Sequence, residues 1–192
     1  MKKVGVLALQ GDFEAHQAML ERAGVETVRV RSATSLQVVE GLVIPGGEST
    51  TMLKLLSSEK LLEPLLRFAE QRPIFGTCAG AILMASEITH PAQDSLGLLD
   101  MVIERNGYGR QLESHVARIQ PEAEFLSRAG GGELEAVFIR APIIRRVGLQ
   151  VRVLVRYKGD PVLVEQGRYL AATFHPELTA DTRVYKLFLE KL

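Results

Sequence analysis

The stretch Pro73-Ile-Phe-Gly-Thr-Cys78-Ala-Gly-Ala-Ile-Leu-Met-Ala85 leaves a chain few ways to fold. A short apolar run predicts a buried strand, two glycines flank the only cysteine, and the apolar residues that follow repeat at helical spacing. Strand, sharp turn and helix in direct succession hold residue 78 at the strand's carboxyl end, where the unpaired N–H groups of the first helical turn point at it. Helix N-termini and nearby imidazolium groups lower a thiol's pKa, so this placement favours a nucleophilic thiolate. The form Gly76-x-Cys78-x-Gly80 is the thiol version of the G-x-S-x-G elbow, in which small neighbours permit a strained turn and close approach of substrate. The plain alternative is a small, inert core residue, and the other residues must decide.

Strand and helix patterns alternate through the first ninety residues. Lys3 to Leu9 is a continuous apolar run, as in a strand buried on both faces. Gln10-Gly11-Asp12 turns the chain into a helix predicted from Phe13 to Ala23, capped by Asp12 and ended at Gly24. Val25 to Val30 and Leu42 to Ile44 are further strands, the second running into Pro45-Gly46-Gly47-Glu48-Ser49-Thr50-Thr51; helical spacing returns over Met52–Leu56 and Leu61–Ala69. This order predicts right-handed crossovers and a doubly wound, mostly parallel α/β sheet flanked by helices.

The second half adds antiparallel signals. Val102 to Arg105, the glycine-rich Asn106-Gly107-Tyr108-Gly109-Arg110-Gln111 and His115 to Ile119 read as strand, loop, strand. Strands follow over Leu134–Ile139, Gln150–Tyr157, Pro161–Gln166 and Tyr169–Phe174, with a hairpin turn at Lys158-Gly159-Asp160. Gly130-Gly131-Gly132 reads as a plain flexible loop, and an amphipathic helix from Asp181 to Leu192 closes the chain.

Length and charge remove several functions. The 192 residues carry 23 basic and 23 acidic side chains, giving no net field for nucleic acid or an anionic membrane. Without tryptophan or basic-aromatic interleaving, no single-strand nucleic-acid platform is expected. One cysteine cannot form an internal disulfide and fits a reducing compartment. With no signal-type or membrane-length apolar run, a cytoplasmic protein of one domain, residues 1–192, is expected. His16, His90, His115 and His175 show no paired metal-ligand spacing, so no metal is expected.

Phe174-His175-Pro176-Glu177 supplies what a thiol nucleophile requires. His175 can take the thiol proton, and Glu177 can fix the imidazole's tautomer if the segment is extended. Both it and the elbow fall at carboxyl ends of strands, where open α/β sheets place their sites. Gly46 and Gly47 let backbone N–H groups face a cavity unobstructed, and the Gly47 and Ala79 amides are the candidate oxyanion hole for a tetrahedral intermediate. A phosphate cradle fits less well, because no P-loop lysine follows and Glu48 is anionic.

Pro45-Gly-Gly-Glu-Ser-Thr-Thr51, Gly76-Thr-Cys-Ala-Gly80 and Phe174-His-Pro-Glu-Leu178 together resemble the class I (triad) glutamine amidotransferases. With Leu9-Gln-Gly-Asp-Phe-Glu14, Glu104-Arg-Asn-Gly-Tyr-Gly-Arg-Gln111 and Phe138-Ile-Arg-Ala-Pro142, the resemblance narrows to the glutaminase subunits of pyridoxal 5′-phosphate synthase and runs from the first strand to the last helix. It implies the flavodoxin-like fold of the class I amidotransferases. It also implies Cys78 as nucleophile, His175 as general base and acid, and Glu177 as its orienter. Gly46, Gly47 and Glu48 would line the glutamine pocket, with Arg105 contacting the substrate and Ile139 with Arg140 closing the other side. Gln10 would lie near the oxyanion site and the partner interface. The implied reaction, which needs no cofactor, is hydrolysis of L-glutamine through a γ-glutamyl thioester, with ammonia passed to a separate synthase subunit. Three readings stand beside it: a cysteine hydrolase or deglycase with the same elbow, which calls for a histidine close behind the cysteine; a glutaminase for a different amidotransferase partner; and a catalytically idle interaction module.

Overall fold

A computed structural model of the chain describes residues 2–105 and 114–192. The glycine-rich loop predicted at 106–111 therefore lies outside the described residues. The main sheet has seven strands in the order β10-β11-β12-β4-β3-β1-β2. Its parallel part is β1 (Lys3–Leu7), β2 (Glu26–Val30), β3 (Gly41–Ile44), β4 (Ile74–Thr77) and β12 (Tyr169–Ala172). The strands β10 (Arg152–Tyr157) and β11 (Asp160–Gln166) extend the same sheet from β12 by antiparallel pairing.

Period-two alternation explains how the sheet is covered. Leu42, Ile44 and Ile74 point into one core, and Val43 and Phe75 into the other. The first core is closed by α2 (Ala33–Gln37), α3 (Ser49–Ser58), α4 (Leu62–Ala69) and α5 (Ala79–Met84). The second is closed by α1 (Phe13–Arg22), α6 (Ala123–Ala129) and α7 (Arg183–Leu189). Helix α1 starts where the sequence places it, with the Asp12 side chain accepting from Ala15 N. Two smaller sheets stand off the main one: β5 (Ala85–Thr89), β6 (Leu99–Glu104) and β9 (Ile143–Val147), and the ribbon of β7 (His115–Ile119) with β8 (Leu134–Phe138).

The doubly wound expectation holds, and the differences are local. The run before Cys78 extends as strand through Thr77, and the helix after it ends at Met84, where Ala85 passes into β5 without a loop. The two strands expected on either side of the glycine-rich loop belong to different sheets, β6 pairing with β5 and β9, and β7 with β8. Helix α3 begins at Ser49, three residues ahead of the apolar spacing, because Glu48 caps it and its first-turn polar residues face outward or hydrogen-bond. Among the described residues, no helix is long and apolar enough to cross a membrane.

The tri-glycine segment is not a plain loop. Arg183 Nη1 donates to the carbonyls of Gly130, Gly131 and Gly132 at 3.3, 3.0 and 3.2 Å, and Nη2 to Glu133 O at 2.7 Å. Asp181 holds the same guanidinium through both carboxylate oxygens. Three glycine carbonyls and that of Glu133 turn toward one fork, so an arginine on α7 fastens the loop that follows α6. Hydrogen bonds to charged groups are worth about 1.5–3 kcal/mol, so Arg183→Ala should lower unfolding free energy in urea by roughly 2 kcal/mol. Arg183→Lys should recover only a minor part, because an ammonium cannot reproduce the fork.

Candidate active site

Three adjacent parallel strands each deliver one component. The Gly46-Gly47 loop follows β3, Cys78 follows β4, and His175 lies just beyond β12. Cys78 has φ 48° and ψ −105°, outside the basins open to an ordinary side chain. It is held there by Cys78 N donating to Ala172 O at 2.9 Å and by Ile82 N donating to Cys78 O at 3.0 Å. A Cβ on Gly80 would come within 2.1 Å of Ile44 O, and one on Gly76 within 2.6 Å of the Gly80 carbonyl carbon. Both flanking residues of the elbow must therefore be glycine, as its sequence form requires. Ala79 is the first residue of α5, so its N–H precedes the first intrahelical bond and keeps its donor capacity.

The base is placed by backbone as well as by side chain. His175 N donates to Val137 O on β8 at 2.8 Å, and the ring Nδ1 is 2.6 Å from Glu177 Oε1. Glu177 does not lie in an extended segment as expected; Pro176–Leu178 form a single 3₁₀ turn that brings the carboxylate under the ring. Proline in the first turn fixes that start at no hydrogen-bond cost. On the far side, His175 Nε2 is buried and coupled to Cys78, although the geometry falls short of a hydrogen bond. Catalytic contacts of this kind commonly tighten only around a reacting substrate.

Burial pulls the His175 pKa down, but Cys78 and then Glu177 outweigh it and push it up to about 10. Glu177 is depressed: burial opposes its charge, and His16 and His175 more than compensate. The imidazolium–carboxylate contact is thus present across the neutral range.

The other residues meet in a cleft of about 500 Å³. Gly46, Gly47, Glu48, Arg105, Ile139 and Arg140 line it together with all three members of the Cys78-His175-Glu177 set. A Cβ on Gly46 would sit 2.7 Å from His175 Cε1, and one on Gly47, at φ 139°, would sit 2.3 Å from Gln10 Nε2. Gln10 is outside the cleft lining but grips both faces of residue 48: its Nε2 donates to Glu48 O at 3.2 Å and its Oε1 accepts from Glu48 N at 3.3 Å. The Glu48 amide is thereby committed, which leaves Gly47 as the donor of that loop.

Glu48 lines the cleft as expected, and its carboxylate has partners of its own there. Its carboxylate accepts from Thr50 N, Thr51 N, Thr51 Oγ1 and Arg105 Nη2, the last at 3.0 Å. Burial would raise its pKa, but the Thr51 and Thr50 hydrogen bonds hold it at about 2. Glu48 is therefore a helix cap and the anchor of Arg105. Arg140 is exposed at φ 44° and lines the same cleft, so two cations border it.

A model described as the SNO glutamine amidotransferase family matches residues 6–192. The chain belongs to this glutamine amidotransferase family. It is 62% identical over 192 residues to a protein of Solibacter usitatus (strain Ellin6076) named pyridoxal 5′-phosphate synthase subunit PdxT, with all of both chains covered. A protein of the same name from Koribacter versatilis (strain Ellin345) is 54% identical over 188 residues, covering 98% of this chain and 94% of the relative. A crystal structure described as a glutamine amidotransferase superposes with TM-score 0.88 at 46% identity, over 98% of this chain and 97% of the other. The PurLQS structure from Thermotoga maritima, 18% identical at TM-score 0.69 over 98% of both chains, shares the fold.

Sequence reasoning missed what stands behind this amidotransferase cleft. Asp12, Ser49 and Ile82 also line it, and His16, set aside as a scattered histidine, is wholly buried against Glu177. Its position three residues before Met19 and four before Leu20, on the apolar face of α1, was the available signal.

The electrostatics make a titration prediction. In NMR spectra of histidine-labelled protein, His175 should lose its ring proton near pH 10, against 6.5 for an ordinary imidazole. Either Cys78→Ala or Glu177→Gln should lower that midpoint toward 6.5. Because the folded pKa is raised, the group's contribution to stability is complete below pH 6.5 and is lost as pH rises through about 10. An unchanged midpoint in both variants would show that the three groups do not act on one another.

Proposed function

We propose that the chain is the glutaminase of a pyridoxal 5′-phosphate synthase, a single domain over 1–192 that hydrolyses L-glutamine and hands ammonia to a synthase subunit in the cytoplasm. The observation that carries this reading is the convergence of Cys78, His175 and Glu177 from neighbouring strand ends in a cleft bordered by Arg105 and Arg140. The name borne by its relatives supports the synthase as partner.

The steps follow from the groups present. The glutamine α-carboxylate meets the cations at the rim, which directs the side-chain amide inward. Cys78 Sγ attacks the amide carbon, and the Gly47 and Ala79 N–H groups receive the developing oxyanion. His175, still imidazolium at neutral pH, gives its Nε2 proton to the leaving nitrogen; the C–N bond breaks and ammonia departs. A γ-glutamyl thioester remains on Cys78. Water then loses a proton to His175 and attacks the thioester; the C–S bond breaks, releasing glutamate and restoring the Cys78 thiolate beside the His175 imidazolium. Glu177 keeps Nδ1 protonated throughout and offsets the imidazolium charge.

The alternative of a stand-alone cysteine hydrolase would use a histidine close behind the cysteine, whereas here the base arrives from β12. A glutaminase acting without its acceptor would waste substrate, so activity is expected to stay low until the synthase docks and orders the Gly46-Gly47 loop.

Glutamate release should be measured with and without a pyridoxal 5′-phosphate synthase subunit. The complex should turn over glutamine at least about tenfold faster than the free chain, and Cys78→Ala should lose at least about 10³-fold, as expected for removal of a covalent nucleophile. Equal rates with and without the synthase would overturn the partner, and full activity in Cys78→Ala would overturn the mechanism.

A further inference from the structure

Glu177 is held by more than His175. Its Oε1 is on His175 Nδ1, while Oε2 is buried with no hydrogen-bond partner and lies 3.5 Å from His16 Nε2. The same Nε2 is 3.1 Å from Thr77 Oγ1, on the residue that precedes Cys78. On its other side His16 Nδ1 is 2.7 Å from the hydroxyl of Tyr185 on α7. His16, Thr77 and Tyr185 are each wholly buried, and none lines the cleft.

The tautomer of His16 follows from these neighbours. Burial, the largest influence, strips its charge, with His175 acting in the same direction against the attraction of Glu177 and of Asp12 at the start of α1. One ring nitrogen of the neutral imidazole therefore donates and the other accepts. A proton on Nδ1 would leave the Nε2 lone pair facing a carboxylate oxygen. A proton on Nε2 faces two acceptors, and Nδ1 then accepts from Tyr185, whose hydroxyl burial keeps protonated, reinforced by Glu177 and Asp12. Both His16 nitrogens then have complementary partners, Thr77 Oγ1 and the Tyr185 hydroxyl, and the Nε2–H stands 3.5 Å from the otherwise unpartnered Glu177 Oε2.

Resting on the triad reading above, we propose that Tyr185 and His16 are positioning residues for catalysis. Tyr185 O–H fixes the proton of His16 on Nε2, and that N–H steadies both the free oxygen of Glu177 and the Thr77 side chain beside the nucleophile. A chain of contacts runs from α7 through α1 to both ends of the triad. Its rigid geometry keeps Glu177 Oε1 on His175 rather than letting the carboxylate turn about its own axis. A merely structural polar pair between two helices would not need its second ring nitrogen aimed at the catalytic carboxylate.

The test combines spectroscopy and kinetics on the complex of the chain with its synthase subunit. Long-range ¹H–¹⁵N spectra of the histidine-labelled chain at neutral pH should show His16 as the Nε2–H tautomer, and Tyr185→Phe should release that preference. For glutamate release, Tyr185→Phe should lower kcat by roughly tenfold and His16→Leu by roughly tenfold or more, with KM within twofold, in line with the loss of an orienting partner one step from the chemistry. His16→Gln, whose amide N–H reaches the Nε2 position, should recover most of the kcat lost in His16→Leu, which separates positioning from a folding defect. An Nδ1–H tautomer in the wild type, or wild-type kcat in both Tyr185→Phe and His16→Leu, would overturn the proposal. Should the wild-type complex release no glutamate, the functional reading fails, and the tautomer spectra of wild type and Tyr185→Phe still decide whether Tyr185 sets the His16 proton.

Discussion

The approach of backbone to backbone under Cys78 is the constraint on which the site depends. Gly80 lies against the Ile44 carbonyl and Gly76 against Gly80, so β3, β4 and α5 are closer than any side chain would allow. That packing forces the chain to turn within one residue, and Cys78 takes up the turn at φ 48°. Such a backbone costs on the order of 1–3 kcal/mol and persists only where the surroundings over-determine it. Here they do, since Cys78 N and O are both bonded, one to β12 and one within α5. The bond to Ala172 also ties the elbow to the strand that delivers His175, so Cys78 and His175 share one framework.

Electrostatics then follows from burial. His175 and Glu177 lie beneath the cleft surface, where an isolated charge would be expensive; Cys78 and then Glu177 hold the charge on His175, and His16 and His175 hold that on Glu177. At the rim the logic is reversed: Glu48 spends its carboxylate on the N-terminus of α3 and on Arg105, which holds the guanidinium at the cleft wall. One anion inside orients the base, and another outside orients a cation. Gln10 completes the arrangement by holding the peptide on which the Gly47 donor depends.

Much of this was legible in the sequence, because buried parallel strands are continuous apolar runs and the glycine-flanked cysteine admits little but an elbow. The α1 cap, the strand ends carrying Gly46-Gly47, Cys78 and His175, and the doubly wound order can all be read from residue types. The short elements α2 and β5 could not: α2 rests on a Ser32–Ser35 capping box, and β5 pairs with β6. Long-range side-chain chemistry was equally hidden. Nothing local distinguishes Arg183 as the clasp of three glycine carbonyls, Glu48 as a helix cap that also holds Arg105, or Glu177 as reaching its histidine through a 3₁₀ turn. His16 was visible only as a polar residue on an apolar helix face, and its meaning required α7 and Glu177 to be in place.

The central claim is that Cys78 becomes acylated by glutamine. The most direct measurement is mass spectrometry of the Cys78-containing peptide after rapid acid quenching of the complex during glutamine turnover. A γ-glutamyl thioester on Cys78, absent in Cys78→Ala and cleared on chasing the wild type free of glutamine, is the result predicted. Glutamate formation at the wild-type rate with Cys78 irreversibly alkylated would contradict it.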